Sequence, residues 1–137
     1  MNADLAAQHA FDRMARDGFD ALDDREKNIA TAWLFAGKVA NDGFGRYFAS
    51  AAGDLAYHAP AAFRGIGACA MAEIAEAANR ILGAEHLRED RKARAERVRA
   101  LQAGAPGLFA AVEARFYECP DDVDLLLDAY VNPVPVA

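Results

Sequence analysis

Hydroxyl side chains are almost absent from this sequence, which has one serine, Ser50, and one threonine, Thr31. A serine or threonine nucleophile also needs a base beside it and a group that orients the base. The three histidines, His9, His58 and His86, fall in three different predicted elements. The sequence therefore predicts no catalytic residues and no enzyme activity.

Cysteine is nearly as scarce. Cys69 and Cys119 each lack a second cysteine nearby, so the spacing of neither a zinc site nor a redox pair is present. No two histidines have the helical spacing, with a glutamate between them, that marks zinc ligands. We predict two reduced, partly buried thiols and neither a metal nor a cofactor.

Long apolar runs and an excess of positive charge are also missing. No segment approaches the roughly 20 apolar residues that span a bilayer, and the first residues do not resemble a secretory signal. The net charge of −6 repels polyanions such as DNA or an acidic membrane surface. We therefore expect a cytoplasmic protein that binds neither nucleic acid nor membrane directly, and for which a basic protein surface is the easier partner.

What the sequence does contain favours helices. Hydrophobic residues make up 54% of the chain and charged residues 26%, many of the former being alanine. Apolar residues recur at intervals of three and four, and no segment alternates long enough to indicate a strand. We predict an all-α fold, a single compact domain over residues 1–137 with about seven or eight short helices. These cover approximately residues 4–17, 24–40, 44–52, 60–66, 71–82, 87–102, 108–118 and 122–130.

The second predicted helix carries a stripe of Ile29, Trp33, Ala36 and Ala40, which predicts one buried face that includes the tryptophan. The segment 41–43, Asn-Asp-Gly, then interrupts the pattern. Its asparagine suits a left-handed residue that ends one helix, and its aspartate suits the cap of the next.

Acidic residues cluster near both ends of the chain. If both ends fold onto one face, they form a negative surface opposite the basic helix 87–102. Several of these carboxylates also occur in adjacent pairs at predicted helix starts, where they serve as caps. The candidate residues for an acidic partner surface are Asp20, Asp23, Asp24, Glu26, Glu118, Asp121, Asp122, Asp124 and Asp128.

The segment 39–53, VANDGFGRYFASAAG, resembles the signature of a bacterial family of small helical domains named for a DNA-mimic protein. Its motif positions here are Asn41, Asp42, Gly43, Phe44, Arg46, Tyr47, Phe48, Ser50 and Gly53. The resemblance covers about residues 25–131 and departs from the family pattern where Asp42 replaces a glycine, Arg46 a glutamine and Ser50 an asparagine. It implies an all-helical domain that can form a homodimer. It also implies a DNA mimic, an acidic protein whose carboxylates stand in for phosphates on the DNA-binding face of a transcription regulator.

Alternative roles of the motif stay open at this point. The main hypothesis is a non-catalytic interaction domain whose acidic surface binds a basic protein. The alternative is a small-ligand or metal site at the turn from Asn41 to Tyr47, with Asp42 and Arg46 as further polar groups. A third hypothesis makes the exposed side of the short helix after Gly43 a dimer contact, and the motif can also be structural throughout.

Overall fold

A computed structural model describes residues 1–133, and within them it contains helices and no strand, as predicted. The seven α-helices are α1 (Ala3–Asp17), α2 (Asp24–Phe48), α3 (Ala59–Gly65), α4 (Cys69–Leu82), α5 (Arg91–Gly104), α6 (Ala110–Glu118) and α7 (Val123–Val131). Short 3-10 segments occupy Phe19–Ala21, Ala52–His58 and Ala84–His86. Across this part of the chain no helix is both long and apolar enough to cross a membrane.

Aspartates begin three of the helices. The side chain of Asp23 accepts a hydrogen bond from the Glu26 amide, and the Glu26 carboxylate accepts one in return, which makes a capping box at the start of α2. The side chain of Asp90 accepts from the Ala93 amide at the start of α5, and that of Asp122 accepts from the Leu125 amide at the start of α7. Asn2 caps α1, where its side chain accepts a hydrogen bond from the Leu5 amide. The predicted capping role of the paired carboxylates is therefore confirmed at three helix starts.

The buried face of α2 consists of Ile29, Ala32, Phe35 and Val39. The prediction that Trp33 lies in this face is wrong, since its residue surface is 36% exposed. Helix α2 is apolar on more than one side, so two stripes offset by a few residues both satisfy a spacing of three and four. The stripe that contains Phe35 is the buried one: the centroid of its ring lies 4.9 Å from that of Phe63 in α3, and both rings are in the core.

Helix α2 bends sharply at Gly43, where φ is +82°. The expected left-handed conformation of Asn41 is wrong, since among the described residues only glycines have positive φ. Asp42 is not the cap after the bend either. The Phe44 amide donates instead to Glu113 Oε2 at 2.9 Å, so a carboxylate from α6 caps the last turns of α2.

Helices α1 and α7 lie against α2 on the same side as Trp33. Asp4 at the start of α1 contacts Trp33, whereas Arg13 near its end reaches Glu26, so α1 runs antiparallel to α2. The Ala3 amide donates to Asp128 Oδ1 at 2.9 Å, which joins the first turn of α1 to α7. The fold therefore brings residues from both ends of the chain together.

Candidate functional site

The aromatic residues of the 39–53 motif are buried. Phe44, Tyr47 and Phe48 are each at most 1% exposed, and the Tyr47 ring lies 5.0 Å from that of Phe35. Burial raises the pKa of the Tyr47 phenol far above its usual value. Its hydroxyl has no hydrogen-bond partner among the described residues. These rings form the centre of the core and are not available to a ligand.

The end of the motif is held by close backbone packing. Ser50 Oγ donates to the Tyr47 carbonyl at 2.7 Å. A Cβ atom on Gly53 would lie 2.8 Å from the Phe48 carbonyl oxygen, which is closer than real side chains approach. Glycine is therefore required at position 53 for the chain to fold back under the end of α2.

Arg94 of α5 closes the same region from the other side. The residue is 2% exposed, and its guanidinium donates to the carbonyls of Phe48 at 2.7 Å and Ser50 at 3.1 Å. It also donates to Asp54 Oδ1 at 2.5 Å. Burial raises the pKa of the Asp54 carboxyl, but the hydrogen bonds from Arg91 and Arg94 outweigh it and hold the pKa below its usual value. Arg94 thus attaches the basic helix α5 to the end of the motif, and Arg91 and Arg94 together attach it to Asp54, the residue that follows the motif.

The exposed residues of the motif do not meet the buried ones. Asn41, Asp42 and Arg46 lie at the surface, and Asp42 pairs with Lys38 at 2.6 Å. Arg46 and Asp42 border a groove of about 560 Å³ between α2, α5 and α6, but Tyr47 does not line it. The polar groups expected to form a ligand site at this turn are therefore separated. Among residues 1–133, no three His, Cys, Asp or Glu side chains are placed to hold a metal.

The carboxylates expected to form one acidic surface fall into two groups. The first group follows α1: Asp20, Asp23, Asp24 and Glu26. Glu26 pairs with Arg13 there at 2.9 Å. Asp20 borders a separate groove that also contains arginines of the 88–94 segment. At 1.5 Å per residue, the 15 residues of α1 put this group about 22 Å from the other end of the helix.

The second group lies beside the first turn of α1. Three of its aspartates accept hydrogen bonds from helix amides: Asp121 from Met71 at the start of α4, Asp122 from Leu125, and Asp128 from Ala3. Asp124 and Glu118 are exposed and make no hydrogen bond or ion pair within the described residues. The structure thus brings together Asp121, Asp122, Asp124 and Asp128, places Glu118 next in sequence to two residues of the same region, and leaves the other four candidates at a distance.

A groove of about 570 Å³, here called the terminal groove, lies among the second group. Its floor includes small residues of α2, among them Ala36 and Gly37. Apart from the adjoining residues and the backbone of the same helix, nothing lies within 4 Å of the position of a Gly37 Cβ. Aromatic and acidic side chains complete it: Trp33, Phe116, Tyr117, Asp4, Asp121, Asp122 and Asp124. A cavity of about 280 Å³ shares Trp33, Asp4 and Asp124 with this groove and adds Asn2 and Asp128.

Sequence reasoning missed three residues of the terminal groove. The apolar spacing of α2 predicts Trp33 in the core, and Asp4 is not among the residues predicted for the acidic surface. Tyr117 is not among the predicted site residues either. It is 67% exposed, and its hydroxyl donates to the Ala40 carbonyl at 3.1 Å. No local pattern in the sequence indicates this group, because its three residues belong to three different helices, α1, α2 and α6.

Charge is divided unevenly along the sequence. Residues 1–26 and 113–133 contain thirteen carboxylates and four basic side chains, a formal charge of −9, whereas residues 27–112 carry +3. Because α1 and α7 adjoin, the negative charge is concentrated around the terminal groove and the α1–α2 connection. The whole-chain charge of −6 understates this local excess.

These features define an all-helical domain that carries its negative charge on helices from its two chain ends. The family model described as "DMP19-like protein" matches residues 9–133, and the chain belongs to that family. The resemblance to the DNA-mimic family that the 39–53 motif suggested is therefore confirmed. No curated protein and no solved structure matches the chain.

Proposed function

We propose that this chain is a non-catalytic protein-interaction domain whose carboxylates occupy the DNA-binding face of a basic protein. The observation that carries the proposal is the convergence of α1, α7 and the α6–α7 connection in a member of the DMP19-like family. Five carboxylates line the same groove and adjoining cavity as the exposed Trp33: Asp4, Asp121, Asp122, Asp124 and Asp128. A transcription regulator is the kind of partner that membership in this family favours.

The acidic group is suited to imitate phosphates because its members are held in place before binding. Asp121, Asp122 and Asp128 each accept an amide hydrogen bond through one oxygen. None of the three carboxylates forms an ion pair within residues 1–133, so their negative charge is not neutralised there. Carboxylates that are already positioned lose little side-chain entropy when a basic surface arrives. A fixed array of this kind resembles the regular charges of a DNA backbone more closely than mobile surface side chains do.

The remaining surfaces support other functions less well. The positive charge of the 88–99 region is partly neutralised, since Arg91 and Arg94 bind the Asp54 carboxylate. Arg97 is engaged as well, through a hydrogen bond to the Leu82 carbonyl. The short segment after Gly43 is mostly buried, which speaks against its use as a dimer contact. We keep a homodimer as an expectation from the family, and light scattering at several concentrations would test it.

The proposal is tested by affinity capture with the tagged full-length chain from a lysate of its own organism. The charge variant combines Asp122→Asn and Asp124→Asn, which line the terminal groove, with Glu118→Gln, which lies between Tyr117 and Cys119 at its edge. The control variant removes three exposed carboxylates elsewhere, through Glu73→Gln, Glu85→Gln and Glu96→Gln.

We expect the wild type and the control variant to retain a DNA-binding protein that duplex DNA displaces and added salt releases. The charge variant should lose that protein, because the interaction depends on the position of the charges and is screened by salt. Retention of the same partner by the charge variant, or a partner that DNA does not displace, would contradict the proposal.

A further inference from the structure

Trp33 and Asp4 form a preorganised pair that lines both the terminal groove and the adjoining cavity. Trp33 Nε1 donates to Asp4 Oδ1 at 2.9 Å, and the Phe11 ring packs against the indole with centroids 5.4 Å apart. The pair is therefore held from two sides although the tryptophan is 36% exposed. An exposed indole next to a fixed carboxylate offers both a π surface and a negative charge.

The surroundings of this pair match one chemical group. A guanidinium stacks on aromatic rings, is weakly hydrated for a cation, and forms hydrogen bonds to carboxylates. Asp122 and Asp124 lie in the same groove, and the small residues of α2 leave space for an aliphatic stem above Gly37. A lysine would satisfy the charge but would use the ring less well, because its ammonium is compact and strongly hydrated.

We propose that the terminal groove is an arginine-binding site for a cationic segment of the protein partner, with the guanidinium placed between Trp33 and the aspartates. This inference rests on the proposed function, since it names the group that the acidic surface recognises. The adjoining cavity at Asn2 and Asp128 extends the acidic groove beyond Trp33, which fits a segment with more than one basic residue.

The experiment uses the tryptophan itself as the reporter, since Trp33 is the only one in the chain. Its emission is followed while the full-length protein is titrated with a capped peptide of four alternating Arg-Ala units. The Lys-Ala and Glu-Ala peptides of the same length are the comparison probes. Two variants separate groove binding from general attraction: Gly37→Leu fills the floor without a change of charge, and Gly37→Ala is its matched control.

We expect a saturable emission change with the arginine peptide, at least fivefold tighter binding than with the lysine peptide, and no response to the glutamate peptide. Gly37→Leu should weaken binding of the arginine peptide at least tenfold, while Gly37→Ala should bind as the wild type does. Circular dichroism confirms that both variants remain folded. Equal affinity for arginine and lysine peptides, or unaltered binding by folded Gly37→Leu, would overturn the arginine site.

The two proposals fail in different ways. If the captured partner depends on the charge variant but the arginine peptide leaves the emission unchanged, the acidic surface binds its partner without an arginine site and only the further inference falls. If the arginine peptide binds as expected but no DNA-binding partner is captured, the groove recognises arginine and the proposed function falls.

Discussion

The 39–53 motif and the terminal groove both use residues of α2, yet they differ in what they leave accessible. The motif places three aromatic rings in the core and closes over them with Gly53 and Arg94. The terminal groove leaves Trp33 and Tyr117 partly open and surrounds them with carboxylates. The comparison teaches that the most recognisable segment of this sequence maintains the fold, whereas the less conspicuous chain ends carry the accessible chemistry.

The largest effect on stability is expected for Arg94→Met. The substitution removes hydrogen bonds to three carbonyls and to Asp54 from a buried site, which costs about 3 to 5 kcal/mol in the free energy of unfolding. Urea denaturation measures it. Arg99→Met, at an exposed position of the same helix, should change stability by less than about 0.5 kcal/mol. Equal effects of the two variants would mean that the motif is not anchored by α5.

Gly53→Ala should rank next. The added methyl group overlaps the Phe48 carbonyl oxygen, and overpacking of this kind costs about 1 to 3 kcal/mol. The same substitution at Gly37 meets open space within a helix, and it should stabilise the protein by about 0.5 to 1 kcal/mol. Thermal denaturation should show a lower melting temperature for Gly53→Ala and a higher one for Gly37→Ala than for the wild type. A stable Gly53→Ala would contradict the close packing at the end of the motif.

Glu113→Ala tests the cap at the bend of α2. Without the carboxylate the Phe44 amide loses its acceptor, and loss of a helix cap costs about 0.5 to 2 kcal/mol. Glu118→Ala removes an exposed carboxylate from the same helix and should be close to neutral in equilibrium unfolding. If the two variants are equally stable, the interaction between Glu113 and Phe44 contributes nothing to the fold.

His58 should make stability depend on pH. Burial lowers the pKa of its imidazole, with a further lowering by Lys27 that the Asp24 carboxylate partly opposes. Because the folded state disfavours the protonated form, its contribution is present above the unfolded pKa of about 6.5 and is lost as pH falls through the lower folded pKa. Urea unfolding from pH 7.5 to 5 should show a smaller decline for His58→Gln than for the wild type. His9→Gln, at an exposed position, should decline as the wild type does.

The smallest effect on stability is expected for the charge variant of the terminal groove. Asparagine caps helices about as well as aspartate, so Asp122→Asn keeps the start of α7 intact. Asp124 and Glu118 are exposed, where substitutions change stability by about 0.5 kcal/mol or less. Calorimetry of this variant should give nearly the wild-type melting temperature. A marked loss of stability would assign these carboxylates to the fold instead of to a partner.

Local signals in the sequence were sufficient for the helices but not for the groove. Asp23 and Asp122 cap helices as their positions predict, because capping depends on residues a few positions apart. The hydrogen bond from the Phe44 amide to Glu113 joins residues that are 69 positions apart in the sequence, and no local pattern indicates such a contact. The local spacing also does not determine which side of α2 faces the core, because both the stripe with Trp33 and the stripe with Phe35 are apolar. Trp33 is therefore predicted to be buried although it is exposed.

The acidic surface was predicted in part. The concentration of carboxylates near both ends was evident, but which of them meet depends on the antiparallel packing of α1 against α2 and on the contact of Ala3 with Asp128. The length of α1 separates the two groups of carboxylates. The sequence therefore indicates the amount of negative charge, but not that it is divided between two separate surfaces.

The most direct test of the account is the affinity of the captured DNA-binding partner for three forms of this chain, measured at one salt concentration. The forms are the wild type, the charge variant of the terminal groove, and a variant of the exposed motif residues with Asp42→Asn and Arg46→Gln. The account predicts at least tenfold weaker binding for the charge variant and wild-type affinity for the motif variant. The reverse order would contradict it, because binding would then depend on the motif surface and not on the acidic chain ends.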